Sequence, residues 1–225
     1  MSVVALRRLP THTANQAYCF HLFCSRFRLR LHCLRLGCVS SHFNEFRSLQ
    51  ESSRLLVPLQ KEDFELVAGW LADPEDHFKV CGNAFAYPLQ REIYDAFFVD
   101  MAGDPNLRLC YKYCVDDRPV GMAHFTRIDR KNDFGHIGVA MVAPDARSTG
   151  HGRAMFSALL ELGFNELKFH RIDLNVFESN ARALAFYRRT LGFKVEGLAR
   201  DTIKKDGAYL GWYTLSLLAD EWQPS

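Results

Sequence analysis

The chain has 225 residues, of which 48% are hydrophobic, and a formal net charge of +2. This length and apolar content suit one domain of ordinary size with an extension and argue against a second full domain. Residues 1–53 carry seven arginines and two glutamates, a net +5, which leaves −3 for residues 54–225. A basic excess confined to one end of the chain disfavours a nucleic-acid-binding function.

Residues 1–53 contain no apolar run long enough for a membrane span or a signal-peptide core, because Arg and His interrupt every such run. We expect a poorly ordered extension. Two alternatives stay open. The arginine enrichment and the lack of acidic residues before Glu45 favour an organellar transit peptide. Four cysteines suggest a zinc site, although their spacing lacks the usual close pairs; they are Cys19, Cys24, Cys33 and Cys38.

The cysteine pattern indicates a reducing compartment, because the count of seven is odd and no disulfide framework is recognisable. Cys110 and Cys114 lie in a strand-like run, where four residues separate their Cα atoms by roughly 13 Å. A disulfide requires about 7 Å or less. We therefore predict a cytoplasmic location and no bond between these two cysteines.

A folded domain begins at Arg54. The pattern predicts a strand over residues 54–60 and a helix over residues 61–71, with apolar residues on one helix face; they are Phe64, Val67, Ala68 and Leu71. The acidic stretch Asp73–Asp76 ends that helix, and we expect its carboxylates to cap a turn. A second helix is predicted over residues 90–101.

Six further strands are predicted from apolar runs bounded by turn residues. They cover residues 107–115, 119–128, 135–143, 170–177, 193–197 and 209–217. Short turns at residues 116–119 and 205–207 join two of the pairs, so the strands before Ala143 should form an antiparallel run.

Between the fourth and fifth strands lies a glycine-bearing loop that leads into a helical segment ending at Lys168. The first backbone N–H groups of a helix have no intrahelical partner and sit at the positive end of its dipole, so they attract phosphate oxygens. Gly150 and Gly152 let an anion approach the main chain, and Arg147 adds a guanidinium. The loop therefore predicts a phosphate-ester ligand.

Two common phosphate loops do not fit these residues. A P-loop requires Lys followed by Ser or Thr after its last glycine, whereas Arg153 and Ala154 follow Gly152. A dinucleotide fingerprint requires Gly or Ala at the position of Met155, and its glycines follow the strand more closely.

The loop resembles the acyl-CoA signature Arg/Gln-x-x-Gly-x-Gly/Ala of the GNAT superfamily of N-acetyltransferases, which the residues from Arg147 to Gly152 match. A later stretch resembles the second half of the domain in that family. Asn180 opens a helix that carries Tyr187, and a Gly-Phe turn follows at Gly192. The opening of the domain looks like that of the branch containing ribosomal-protein N-terminal acetyltransferases. Two motifs in the family's order argue against a ligand-free structural loop.

The resemblance implies an α/β domain over residues 54–220, with a mixed, mostly antiparallel sheet flanked by about four helices, and a short tail at residues 221–225. It implies acetyl-CoA as co-substrate and no metal. The implied cofactor-binding residues are Met141, Val142, Ala143, Arg147, Ser148, Thr149, Gly150, His151, Gly152, Arg153 and Asn180, with a backbone N–H of residues 141–143 stabilising the oxyanion.

Tyr187 occupies the position of the family's general acid, although a tyrosine packed in the core is an alternative interpretation. Some members carry a glutamate base on the strand after the central helix, where this chain has Asn175. An amide cannot accept the proton, so Glu178 and His136 remain candidate bases. The acids of residues 73–76, which border the acceptor site in the family, have a second interpretation as attractors of a cationic amine.

These observations predict an N-acetyltransferase that moves an acetyl group from acetyl-CoA to a primary amine by direct attack in a ternary complex. The acceptor is a small molecule or a protein N-terminus. We expect a monomer or homodimer that binds neither nucleic acid nor membrane. The alternative is a non-catalytic CoA-binding or regulatory protein of the same fold.

Overall fold

The computed structural model describes residues 54–103 and 108–224. Its seven strands are β1 (Arg54–Pro58), β2 (Arg108–Val115), β3 (Arg118–Asp129), β4 (Phe134–Val142), β5 (Arg171–Phe177), β6 (Lys194–Lys205) and β7 (Ala208–Leu218). They form one sheet in the order β1-β2-β3-β4-β5-β7-β6. Every neighbouring pair is antiparallel except β4 and β5, which are parallel. The predicted antiparallel run from β1 to β4 is confirmed.

Five α-helices flank the sheet in the described part of the chain. They are α1 (Phe64–Trp70), α2 (Pro74–Cys81), α3 (Arg91–Gly103), α4 (His151–Glu161) and α5 (Ala181–Ala185). A π-helical turn follows each of the last two, at Leu162–Glu166 and at Phe186–Thr190. The predicted mixed α/β class with a mostly antiparallel sheet is therefore confirmed.

The prediction that the acidic stretch Asp73–Asp76 forms a turn is wrong, because helix α2 begins within it. Asp73 caps this helix, since its Oδ1 accepts the N–H of Asp76 at 2.8 Å, and Pro74 occupies the first helical position. Proline is favoured there because that N–H has no intrahelical partner. The expected capping role is thus confirmed for Asp73, but a helix starts at this point.

The two faces of the sheet are covered by different helices. On the first face, α4 and the turn after it pack Met155, Leu159 and Gly163 over the strands; a Cβ added at Gly163 would lie 2.6 Å from Ile172 Cδ1 and 3.0 Å from Phe125 Cζ. On the second face, helices α1–α3 cover a small apolar cavity whose walls include Met122 and His124.

A β-bulge in β4 places two residues opposite one. The register with β3 changes from Ala140 opposite Ala123 to Ile137 opposite Phe125, so Gly138 and Val139 both face His124. His124 Nε2 accepts the N–H of Val139 at 2.9 Å, and burial lowers the pKa of this imidazole to about 3. A Cβ at Gly138 would lie 2.0 Å from Nε2, so only glycine fits beside the ring.

No helix in the described residues is long and apolar enough to cross a membrane. Within the same residues, no group of His, Cys, Asp and Glu side chains is arranged to hold a metal ion. Cys81, Cys110 and Cys114 are buried, and all three are free thiols. The extension interpretations, including the zinc site and the transit peptide, lie outside the described residues.

Candidate active site

A gap opens between β4 and β5. Their parallel pairing runs from Phe134 opposite Arg171 to Ile137 opposite Leu174 and ends there. Beyond this point, residues 138–142 of β4 and residues 175–177 of β5 diverge, and we call the space between them the strand gap. A sheet that splays apart in this way leaves backbone groups facing an interior space, where a ligand with amide groups can pair with them.

Two backbone N–H groups of β4 point into the strand gap. Ala143 N–H donates to Val120 O of β3 at 2.9 Å, and successive peptide groups of a strand point to opposite edges. The N–H groups of Val142 and Ala140 therefore face away from β3. Val142 O, on the same edge, accepts from Arg147 Nε at 3.2 Å. Of the predicted donors at residues 141–143, Val142 faces the gap, Met141 and Ala143 face β3, and Ala140 lies outside the predicted range.

The glycine-bearing loop of residues 147–150, which we call the phosphate loop after the ligand predicted from its sequence, leads into α4 at the open end of the strand gap. Gly150 is the residue before the helix and has a left-handed backbone with φ of 89°, which favours glycine. The first N–H groups of α4, from His151 to Arg153, are thus free to bind an anion. Thr149 Oγ1 donates to Ala146 O at 2.6 Å and stabilises the loop. A Cβ at Gly152 would lie 3.7 Å from Val142 Cγ2, which places the loop against the last residue of β4.

Arg147 lies beside this loop, but its guanidinium is bound to the protein. Nη1 donates to Asp76 Oδ2 of α2 at 2.5 Å while Nε bonds Val142 O. Arg182 of α5 supplies a second guanidinium, which donates to Ser148 Oγ at 3.1 Å and is exposed. Together with the exposed Arg153 in the first turn of α4, the loop has three neighbouring cations, of which the sequence indicated Arg147 and Arg153 but not Arg182.

Tyr187 lies in the π-helical turn after α5, on the first face of the sheet. Its ring makes edge contacts with Phe156 of α4 at 5.4 Å and with Phe193 at 6.2 Å between centroids. Burial raises the pKa of the phenol to about 12, so the hydroxyl keeps its proton at neutral pH. The ring of Tyr187 is packed, and its hydroxyl is protonated and partly accessible. The expected role as a general acid and the alternative role as a core residue are therefore compatible.

His136 and Asp173 form a buried pair on the second face. His136 Nδ1 is 2.5 Å from Asp173 Oδ1, and both residues are only 8% exposed. Nδ1 also lies within hydrogen-bond distance of Arg127 Nη2. A carboxylate only accepts and a guanidinium only donates, so these two contacts favour opposite tautomers of His136. The bond to Asp173 requires the proton on Nδ1 and leaves Nε2 as the acceptor. Arg127 lies against this pair, 3.6 Å from Asp173 Oδ1, and Arg171 is 3.4 Å from the other carboxylate oxygen.

The family can be assigned from the sequence match. Residues 59–193, well over half of the chain, match the model of the acetyltransferase (GNAT) family. The chain belongs to the GNAT family. Its match spans β2 to β5 together with α4 and α5, and therefore includes both the strand gap and the phosphate loop.

Two relatives illustrate the proteins to which this chain is similar in sequence. One is the L-amino acid N-acetyltransferase AaaT of Escherichia coli (strain K12), 28% identical over 106 residues, or 46% of this chain. The other is an N-acetyltransferase 9-like protein of Caenorhabditis briggsae, 25% identical over 151 residues, or 67% of this chain. The aligned part covers 64% of the length of each relative.

Solved structures of N-acetyltransferases share this fold. The spermidine N-acetyltransferase of Vibrio cholerae, in complex with CoA and spermine, superposes with a TM-score of 0.66 at 18% identity, over 75% of this chain and 96% of that one. At this identity the likeness concerns the fold alone.

Three of the polar residues singled out in the sequence have structural partners within the GNAT domain. Glu178 Oε1 accepts the N–H of Gly211 on β7 at 2.8 Å. Asn175 Oδ1 accepts from Thr214 Oγ1 at 3.0 Å, at the position of the missing strand glutamate. Asn180 caps α5 by accepting the N–H of Ala183 at 3.1 Å. Of the two candidate bases, only His136 has a carboxylate partner.

Proposed function

We propose that the protein transfers an acetyl group from acetyl-CoA to a primary amine by direct attack in a ternary complex. The observation that carries this proposal is the strand gap, with the N–H groups of Ala140 and Val142 directed into it and the first turn of α4 at its open end. This combination offers donors for phosphate, amide and thioester oxygens along one continuous path.

In this proposal different residues bind different parts of acetyl-CoA. The N–H groups that begin α4 bind the pyrophosphate, together with Arg147 and Arg182. Val142 pairs with an amide of the pantetheine arm. Ala140, two residues deeper in the gap, donates its N–H to the acyl oxygen as negative charge develops there, and because strand and bulge fix that donor in advance it costs no reorganisation.

His136 is the base that we assign. An α-amine titrates near ~8 and a lysine-like amine near ~10.4, so the attacking nitrogen must lose a proton at neutral pH. In this proposal Nδ1 keeps its proton and donates to Asp173, so Nε2 accepts the proton of the amine, which is the arrangement of a general base. We prefer His136 to Glu178, because Glu178 Oε1 accepts the N–H of Gly211 and so ties that carboxylate to β7.

Tyr187 is the acid that we assign to the departing thiolate. With a pKa raised to about 12 it is fully protonated, and a hydrogen bond from it reduces the charge that develops on sulfur. Direct attack is favoured over an acyl-cysteine, because burial raises the pKa of Cys81 and Cys110 to about 12 and also raises that of Cys114. None of these three described thiols is a ready nucleophile.

Three acceptor classes follow from the similar proteins and from the sequence. The relative from Escherichia coli is named for L-amino acids, the Vibrio cholerae enzyme was solved with spermine, and the branch resemblance suggests a protein N-terminus. All three present a primary amine, so the chemistry at His136 is common to them.

The proposal is tested by thiol release from acetyl-CoA with polyamines, aminoglycosides, amino acids and peptides, in parent and His136→Gln proteins. We expect release with one class in the parent, and loss of about 10²-fold in kcat for the variant, in the usual range for a general base. Initial-rate lines should intersect, as a ternary complex requires. Tight CoA binding by calorimetry with no release for any acceptor would favour the non-catalytic alternative.

A further inference from the structure

The ammonium group of Lys205, the last residue of β6, is held by α2. Its Nζ lies 4.5 Å from the centroid of the Phe78 ring and 2.5 Å from Glu75 Oε1. Phe78 stacks on Phe177 of β5, with centroids 5.1 Å apart and planes 13° apart. An aromatic face beside a carboxylate is the arrangement that binds ammonium ions in proteins. We call Glu75, Phe78 and Phe177 the ammonium site.

The ammonium site lies on the same face of the sheet as the candidate base. Ile172 points to the first face, so Asp173 and Phe177, at one and five residues beyond it, both point to the second. Four residues of strand separate them by about 13 Å. His136 pairs with Asp173 at one end of this distance and Phe78 stacks on Phe177 at the other. The strand gap opens along β5 between these two points.

Lys205 is a replaceable occupant of the site. Its side chain is 24% exposed and that of Glu75 is 63% exposed, so water reaches the ion pair and screens it. Lys205 stands at the end of a hairpin whose turn, Asp206 and Gly207, has positive φ angles at both residues. A lysine side chain has a flexible four-carbon stem and can swing into solvent without moving the strand.

We propose that the ammonium site binds a second ammonium group of the acceptor, which displaces Lys205. The inference rests on the proposed function and specifies its substrate class: a diamine or polyamine, with one amine at His136 and another at Phe78 and Glu75. Lys205 fills the site while the acceptor is absent and so keeps the carboxylate of Glu75 paired. The second ammonium of the acceptor replaces that of Lys205 beside Glu75, so the carboxylate stays paired in the complex while the Lys205 ammonium is hydrated by solvent.

The experiment compares a straight-chain α,ω-diamine with the monoamine of the same chain length, in steady-state assays and in calorimetric titrations of the CoA-bound protein. Lys205→Met keeps the apolar stem and removes the competing charge, so we expect the Kd and KM of the diamine to fall about fivefold while those of the monoamine stay constant. Glu75→Gln should raise the diamine values by about fivefold. Lys204→Met is the matched control, since that neighbouring ammonium lies 5.5 Å from the Tyr209 ring.

The possible outcomes distinguish a failure of the ammonium site from a failure of the proposed acetyl transfer. A diamine Kd that responds to Lys205→Met and Glu75→Gln supports the site even if no acetyl group is transferred, in which case the proposed function alone fails. Equal effects of either variant on diamine and monoamine overturn the site. A higher Kd for an α-amino acid in Lys205→Met, with an unchanged diamine, also overturns it, because Lys205 would then bind a carboxylate.

Discussion

At the scale of a single residue, the packing of the Tyr187 ring and the chemistry of its hydroxyl can be tested separately. Tyr187→Phe keeps the ring contacts with Phe156 and Phe193, so we expect little change in the free energy of unfolding. If the hydroxyl protonates the thiolate, the single-turnover rate should fall by roughly 10²-fold while acetyl-CoA affinity is nearly preserved. Tyr111→Phe, at a half-buried tyrosine of β2, serves as the control. A single-turnover rate of the Tyr187→Phe variant equal to that of the parent would remove Tyr187 from the mechanism.

Glu196 gives a second prediction for a single residue. Arg171 donates to both of its carboxylate oxygens and Ser216 donates to one, and the bonds from Arg171 do most to lower the pKa of Glu196 to about 2. A folded pKa below the unfolded value of about 4.5 means that this contribution to stability is complete above pH 4.5. It is lost as the pH falls towards about 2.

Urea unfolding across that pH window tests the assignment. The free energy of unfolding of the parent should decline more steeply between pH 4.5 and about 2 than that of Glu196→Gln. Glu161→Gln, at an exposed position of α4, should follow the parent. Parallel curves for parent and Glu196→Gln would show that the ion pair with Arg171 contributes nothing to stability.

At the scale of elements, we expect the start of α4 to govern the affinity for CoA. A side chain at Gly152 has room, because its Cβ would lie 3.7 Å from the nearest atom, and an acidic residue in the first turn favours the helix. Gly152→Asp should therefore fold yet repel a pyrophosphate, raising the Kd for CoA by about tenfold or more. Gly152→Asn is the neutral control of equal size. If calorimetry gives the same Kd for CoA with both variants, repulsion between the introduced carboxylate and the pyrophosphate is not the cause.

The incorrect predictions of α2 and of the end of β6 have physical explanations. Asp73 and Pro74 are typical of a break between helices, although the same two residues also begin a helix. Strand β6 extends to Lys205, eight residues past the predicted end, because it is an exposed edge strand with almost no buried positions to produce an alternating pattern. Strand β4 and the loop after it are predictable, since burial and glycine geometry mark both in the local sequence.

For the whole molecule, the sequence predicts the fold class and the phosphate loop but not the pairing of distant charges. Asp173 is 37 residues from His136, and the two form a buried pair only because parallel pairing of β4 and β5 places them side by side. The sequence indicates Arg147 as a phosphate ligand, yet Asp76 on α2 binds it in this structure. Such contacts depend on register and helix placement, which local patterns do not specify.

The strand gap has a further consequence for the motions of the molecule. A sheet interrupted at its centre has an internal edge, and a ligand that pairs with that edge acts as the missing strand. Amide hydrogens of Ala140 and Val142 should exchange quickly in the free protein and slowly with CoA bound, whereas Ala143 N–H, bonded to Val120 O, should be protected in both states. Hydrogen-exchange mass spectrometry or NMR can measure this difference. Cofactor binding would then mechanically couple the β1–β4 half of the sheet to the β5–β7 half.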